Sequence, residues 1–238
     1  MSLYRDQGIV LRTHKLGEAD RIVSIMTRDN GKVRAVAKGV RKTKSKFGGR
    51  LEPTSHVALQ LYASRGDLDI VDQAESIDHF RAIRDDLDRL ARAMPLLEAT
   101  DQLAQEREVN PRLYQMLLGA LRTLSADNAP LVVAGFYWKV LALEGFAPHI
   151  EACVSCGRTD DLVAIDLDEG GVLCTGCRRG TPISPEALAL LRDILGGRLG
   201  SALNAPPSPA TAEVDTLATR AMEHHLERRL RSASILDR

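Results

Sequence analysis

At 238 residues with 44% hydrophobic content, the chain exceeds the usual size of a single domain and can bury two or three small cores. It contains no apolar run long enough for a membrane-spanning helix and no signal-peptide stretch at Met1–Asp6, which sets the expectation of a soluble, cytoplasmic protein. Its 32 basic and 32 acidic residues cancel, but unevenly: residues 1–50 carry 13 Lys or Arg against 4 Asp or Glu, a net of +9, and the remainder carries 19 against 28, a net of −9. One region therefore attracts polyanions and the other repels them.

From Gly8 to about Ile77 the pattern is short β-rich runs broken by turn signals, without a sustained helical period. Strands are predicted at Gly8–Thr13, Arg21–Thr27, Lys32–Ala37, His56–Tyr62 and Leu68–Gln73. The second and third are joined through Asn30-Gly31, with positive φ angles expected in a tight hairpin, and the fourth and fifth through Ser64, Arg65, Gly66 and Asp67. Five such strands suit a small closed barrel, an OB-fold, over residues 1–79.

In the third strand Lys32, Arg34 and Lys38 alternate with Val33, Ala35 and Ala37, so cations are expected on one face and small apolar groups on the other. The loop that follows holds Arg41, Lys42, Lys44, Lys46 and Arg50 with one aromatic, Phe47. Read as free of apolar anchors and rich in like charge, it is expected to be mobile until it orders on a phosphate backbone. Opposite charges are almost absent nearby, so a merely solvated basic face is the weaker reading and nucleic-acid binding the stronger. Tyr4, Phe47 and Tyr62 are the aromatic surfaces on offer for base stacking, so most affinity must come from phosphates. Neutralising about five phosphates of a single strand would give a log–log salt slope near −3.5.

After Phe80 the period becomes helical, with Phe80, Ile83, Leu87, Leu90, Met94 and Leu97 on one stripe and Asp85, Asp86 and Asp88 near its start. Asn110 and Pro111 read as cap and first turn of a second helix carrying Tyr114, Leu117, Leu118, Leu121 and Leu124. Pro130 opens a third, Leu131–Leu143, apolar nearly all round and so expected at the buried centre. These make a helical domain over residues 80–149, interrupted by an insert at 150–180 and resumed over 181–238. There Ser184 and Pro185 start a helix, Ala205–Ala210 is a stiff linker, and a last helix runs from about Thr211.

The insert holds the sharpest motif: Cys153 and Cys156, then 17 residues, then Cys174 and Cys177. Two such knuckles in a reducing compartment predict one tetrahedral four-sulfur site for a structural Zn2+, with no open position for catalysis. His149 could replace one thiol, but four cysteines already satisfy the metal. The acidic run Asp160, Asp161, Asp166, Asp168 and Glu169 is the only hint of a nuclease site, and an exposed hairpin accounts for it more simply. The phosphate-loop, zinc-protease and nucleophile-elbow signatures are missing, so no catalytic residues and no enzyme are expected.

Taken in order, these pieces resemble the recombination protein O (RecO) family of bacterial DNA repair. The resemblance rests on Gly17 through Val23, on Gly31 through Arg41, on Leu51-Glu52-Pro53, on Gly145 through Pro148 leading into Cys153 to Gly157, and on Leu230-Arg231-Ser232. It spans essentially the whole chain and implies an OB-fold, a helical domain and a zinc-ribbon-like insert acting as scaffold. It also implies binding of single- and double-stranded DNA, annealing of complementary strands, and assistance in loading the recombinase RecA. The implied partners are RecR and the C-terminal tail of the single-stranded-DNA-binding protein, in a nucleoid-associated setting. An RNA-binding zinc-ribbon factor of translation or transcription would share the basic barrel and the cysteines.

Overall fold

Strand β1 (Ser2–Leu16) is long enough to serve two neighbours, pairing with β4 (His56–Ala63) through Ser2–Ile9 and with β2 (Asp20–Thr27) through Gly8–Leu16. The changeover falls at Gly8, where a Cβ would stand 2.5 Å from the Ile25 Cγ2, so only glycine lets β2 approach this closely. With β3 (Lys32–Ala37) and β5 (Asp69–Asp78) the strands form a closed barrel in the order β1-β2-β3-β5-β4, sealed by a short parallel contact between Ala35-Val36 and Asp69-Ile70. This is the five-stranded OB arrangement anticipated from the turn spacing. The computed structural model describes residues 2–64 and 66–232, and packing divides the chain into two units, one running to Ala126 and one starting at Asp127. Arg65, in the turn expected between β4 and β5, lies outside the described residues.

The β2–β3 turn differs from the expected tight Asn-Gly hairpin. Gly31 alone takes a positive φ (66°), and Asn30 is held by its side chain on Asp6 (2.7 Å) and by its N–H on Thr27 Oγ1 (3.2 Å). The buried Asp6 carboxylate on β1 thus organises a longer loop that the local dipeptide does not.

Three helices complete this unit: α1 (Arg81–Arg84), α2 (Leu87–Leu103) and α3 (Pro111–Ala126). The continuous stripe from Phe80 to Leu97 is broken. Asp86 caps α2 by accepting from the N–H groups of Asp88 and Arg89, which ends α1 at Arg84 and leaves Leu87 80% exposed. Asn110 caps α3 through Leu113 N–H at 3.0 Å, and Tyr114, Leu117, Leu118, Leu121 and Leu124 are buried as their spacing requires. The connection between α2 and α3 is tied to the barrel by Arg107, whose Nη2 stands 2.7 Å from the fully buried Asp69, itself the acceptor of the Tyr4 hydroxyl. The hydrogen bonds from Arg107, Tyr4 and the Ser64 N–H outweigh burial and hold the Asp69 carboxyl below the usual carboxylate range.

His56 on β4 is buried beneath α3, with Nε2 2.8 Å from the Tyr114 hydroxyl. Burial, then the nearby Arg122 cation, lower its pKa from the ordinary 6.5 against the opposing effect of Asp78. Below pH 6.5 the unfolded chain takes up a proton that folded His56 resists, so stability falls as pH drops from 6.5 towards the lowered folded value; above 6.5 the group contributes no slope. Urea unfolding at neutral and mildly acidic pH will show this decline, and a His56→Gln variant will show less of it. Equal slopes in the two proteins would remove His56 as the cause.

The second unit is built on α4 (Val132–Leu143), apolar nearly all round and packed against α5 (Pro185–Leu195), α6 (Leu199–Leu203) and α7 (Pro209–His225). Gly135 faces α6, where a Cβ would stand 2.9 Å from the terminal methyl Cδ1 of Leu199. Ser184 caps α5 as expected. The last helix starts earlier than Thr211, because Ser208 and Thr211 form a reciprocal capping box that draws Pro209 and Ala210 out of the linker and into α7. The insert folds as β6 (Leu162–Asp166), β7 (Gly171–Cys174) and β8 (Thr181–Pro182), in the order β7-β6-β8. No helix among the described residues is long and apolar enough to cross a membrane.

Candidate metal centre and nucleic-acid interface

Each cysteine pair sits in a tight backbone turn. Gly157 N–H donates to Cys153 O at 2.8 Å, and Cys177 N–H to Cys174 O at 3.0 Å. Cys174 ends β7, and Val154 N–H donates to Val172 O at 2.9 Å, which fixes the first knuckle against the strand that carries the second. All four sulfurs lie within 4.8 Å of one another, with Cys156 and Cys174 3.7 Å apart. A tetrahedron with metal–sulfur bonds of about 2.3 Å has edges of about 3.8 Å, so the four residues fit a metal ion.

Backbone hydrogen bonds, from Cys174 foremost and then Cys156 and Ser155, pull Cys153 down to about 6 against the effect of burial. Cys156 is pushed up to about 11: a backbone hydrogen bond at Arg158 lowers it, but those to the Cys153, Cys174 and Cys177 sulfurs outweigh that. Sulfurs this close repel as anions, and a dication is what lets all four ionise together.

His149 stays outside this cluster and engages by its backbone, donating to Gly170 O and accepting from Val172 N–H, both at 2.9 Å. The acidic run is likewise accounted for locally. Asp166 accepts from the N–H groups of Asp168 and Glu169, and Arg179 pairs with Glu169 at 2.6 Å and Asp166 at 3.8 Å. Among the described residues the four cysteines form the only His, Cys, Asp or Glu group placed to hold a metal.

The eight cations singled out on the barrel separate into two sets. Val33, Ala35 and Ala37 point into the core with no exposure, as the alternation requires, and the intervening cations point outwards. There they meet α2 and the connection after it. Lys32 Nζ is 2.6 Å from Asp101 O and 3.8 Å from its carboxylate, which also receives Arg12 at 2.9 Å, and Arg34 lies 3.4 Å from Glu106. These strand cations are matched by acidic residues 69 and 72 positions away in sequence.

The second set rims one end of the barrel. Lys38 is exposed at the end of β3, and Arg41 lies against the β1–β2 tip, its guanidinium on Glu18 O at 2.8 Å and Gly17 O at 3.3 Å. Lys42 and Lys44 are exposed, with no carboxylate at ion-pair distance among the described residues. Lys46 reaches Asp72 at 3.7 Å, and Arg50 bonds the loop carbonyls of Lys46 (3.0 Å) and Phe47 (3.3 Å). Lys15, exposed on β1 and paired in register with Arg21, joins the same end. It belonged to the basic excess of residues 1–50, but its position depends on strand register.

The expectation of a loop without an apolar anchor is overturned at Phe47. Its ring is 1% exposed and packs in the barrel core with Leu51, because the sealed barrel leaves an apolar end that the loop must cover. Phe47 is therefore unavailable for base stacking. Tyr4 is committed to Asp69, leaving half-buried Tyr62 as the remaining aromatic of the three.

The family model described as Recombination protein O N terminal matches residues 1–80, and the one described as Recombination protein O C terminal matches residues 84–234. A protein of Frankia casuarinae named "DNA repair protein RecO" is 41% identical to this chain over 244 residues, with 100% of each sequence covered.

Proposed function

Since the chain belongs to the recombination protein O family, whose role lies in DNA repair and recombination, we propose that it is a non-catalytic DNA-binding mediator that anneals complementary strands. The observation that carries this reading is the barrel end ringed by Lys15, Lys38, Arg41, Lys42 and Lys44, with Lys46 and Arg50 beside them. Cations without carboxylate partners release condensed counterions when they meet phosphate, and neutralising two strands together lowers the repulsion that keeps complementary bases apart. Both single- and double-stranded DNA are substrates on this basis, since the contacts are to phosphate and read no sequence. Lys32 and Arg34, matched by Asp101 and Glu106, belong to the scaffold of the site.

The four cysteines hold one structural Zn2+, which staples the β6–β7–β8 insert; four sulfur ligands leave no position for water. Family membership supports the further assignments: assistance to RecA loading in the cytoplasm at the nucleoid, with RecR and the C-terminal tail of the single-stranded-DNA-binding protein as partners. The deciding experiment is annealing of complementary DNA strands with and without that coating protein. Faster annealing in both conditions is expected. Strong preference for RNA with no annealing would overturn the repair role, and magnesium-dependent strand cleavage would overturn the absence of catalysis.

A further inference from the structure

We infer that Phe47 is a positioning residue for phosphate binding: its buried ring anchors the Arg41–Arg50 loop so that Lys42 and Lys44 stand preformed at the barrel end. The inference rests on the proposed DNA-binding role of that loop. Phe47 and Leu51 enter the core from the segment between β3 and β4, whereas most of its other members come from strands with alternating burial. The backbone on either side of Phe47 is folded into successive turns. Lys42 N–H donates to Gly39 O at 3.1 Å, Ser45 N–H to Lys42 O at 2.9 Å, and Arg50 N–H to Phe47 O at 3.1 Å. Arg41 fastens the start of the loop to the β1–β2 tip and Arg50 closes its end, while Lys46 lies 5.2 Å from the Phe47 ring centroid.

Five cations in ten residues repel one another, and turns alone do not hold such a segment against that repulsion. An apolar side chain sealed inside the barrel supplies a hold that salt does not screen. Binding then requires little ordering of the loop, so affinity rises without additional contacts.

The test uses the full chain, a labelled single-stranded oligothymidylate and a salt series. Phe47→Ala should weaken binding about tenfold with an unchanged salt slope, because the same cations still reach phosphate. Phe47→Leu should restore most of the affinity. Removing Lys42 and Lys44 together should cost less in the Phe47→Ala background than in the parent. A folded Phe47→Ala protein with parental affinity overturns the inference, as does full additivity with the lysine changes. If Phe47→Ala does not fold, amide exchange of the parent decides: protected amides across residues 41–50 support the anchor, and unprotected ones overturn it. Should loss of Lys42 and Lys44 leave binding unchanged, the loop's DNA-binding role itself fails; should that loss weaken binding while Phe47→Ala does not, only the anchor fails.

Discussion

A Cys174→Ser variant will lose its stoichiometric metal and melt some 10–20 °C below the parent, while its DNA affinity changes far less. Cys174 ends β7 beside the fully buried Val172 and Leu173, and its sulfur is within 4.8 Å of the other three. A structural zinc contributes roughly 10–16 kcal/mol of apparent folding free energy in isolated finger peptides. Here the insert also packs against its own apolar residues, so a smaller share, on the order of 5 kcal/mol, is lost, which is a shift of about this size for a chain of this length. The core of α4, α5 and α7 does not depend on the ion, so the damage should centre on β6–β8. Metal analysis and a thermal melt of both proteins check this. A metal-free parent with the stability of the metal-bound form would overturn the assignment, and so would a variant that retains one equivalent of zinc.

Replacing Lys42, Lys44 and Lys46 together with alanine will weaken single-stranded DNA binding by roughly a hundredfold at 0.1 M salt and flatten the log–log salt slope by about 2. The figure assumes three phosphates released at about 0.7 per contact. Lys46 already has Asp72 at 3.7 Å, so Lys42 and Lys44 should carry most of the loss. Lys32→Ala is the matched comparison. It removes an equal charge from the same barrel, but a charge bonded to Asp101 O at 2.6 Å, and should lower stability by about 2 kcal/mol while leaving the salt slope as it was. Binding titrations and urea unfolding of the two variants separate the roles. If Lys32→Ala flattens the slope as much as the triple change does, the division of the cations into scaffold and contact sets is wrong.

What was legible without coordinates follows local rules. Short β-rich runs bounded by turn signals located all five barrel strands to within a few residues at most ends, and β3 alternates buried and half-buried residues as a strand with one face to the core requires. The β1 and β5 ends were underestimated, since their extensions pair beyond the barrel core where exposed polar residues hide the alternation. Asn110 and Ser184 declared their helices through a side-chain oxygen a few residues from the N–H it accepts, and the four cysteines declared their site because each knuckle is a single turn. The family resemblance drew on the same short segments.

The sequence alone therefore determined the barrel, the helices, the cysteine cluster and the location of the basic excess, all of them consequences of spacing along the chain. Only the tertiary structure decided which cations meet carboxylates and which do not. Lys32 meets Asp101 from 69 residues away, and Arg34 meets Glu106, pairings that depend on where α2 is laid against the barrel. It also turned Phe47 from an exposed aromatic into an anchor, because burial depends on an opening formed only when β1 through β5 close. Charge can be counted along a sequence, but whether a charge is opposed depends on neighbours in space.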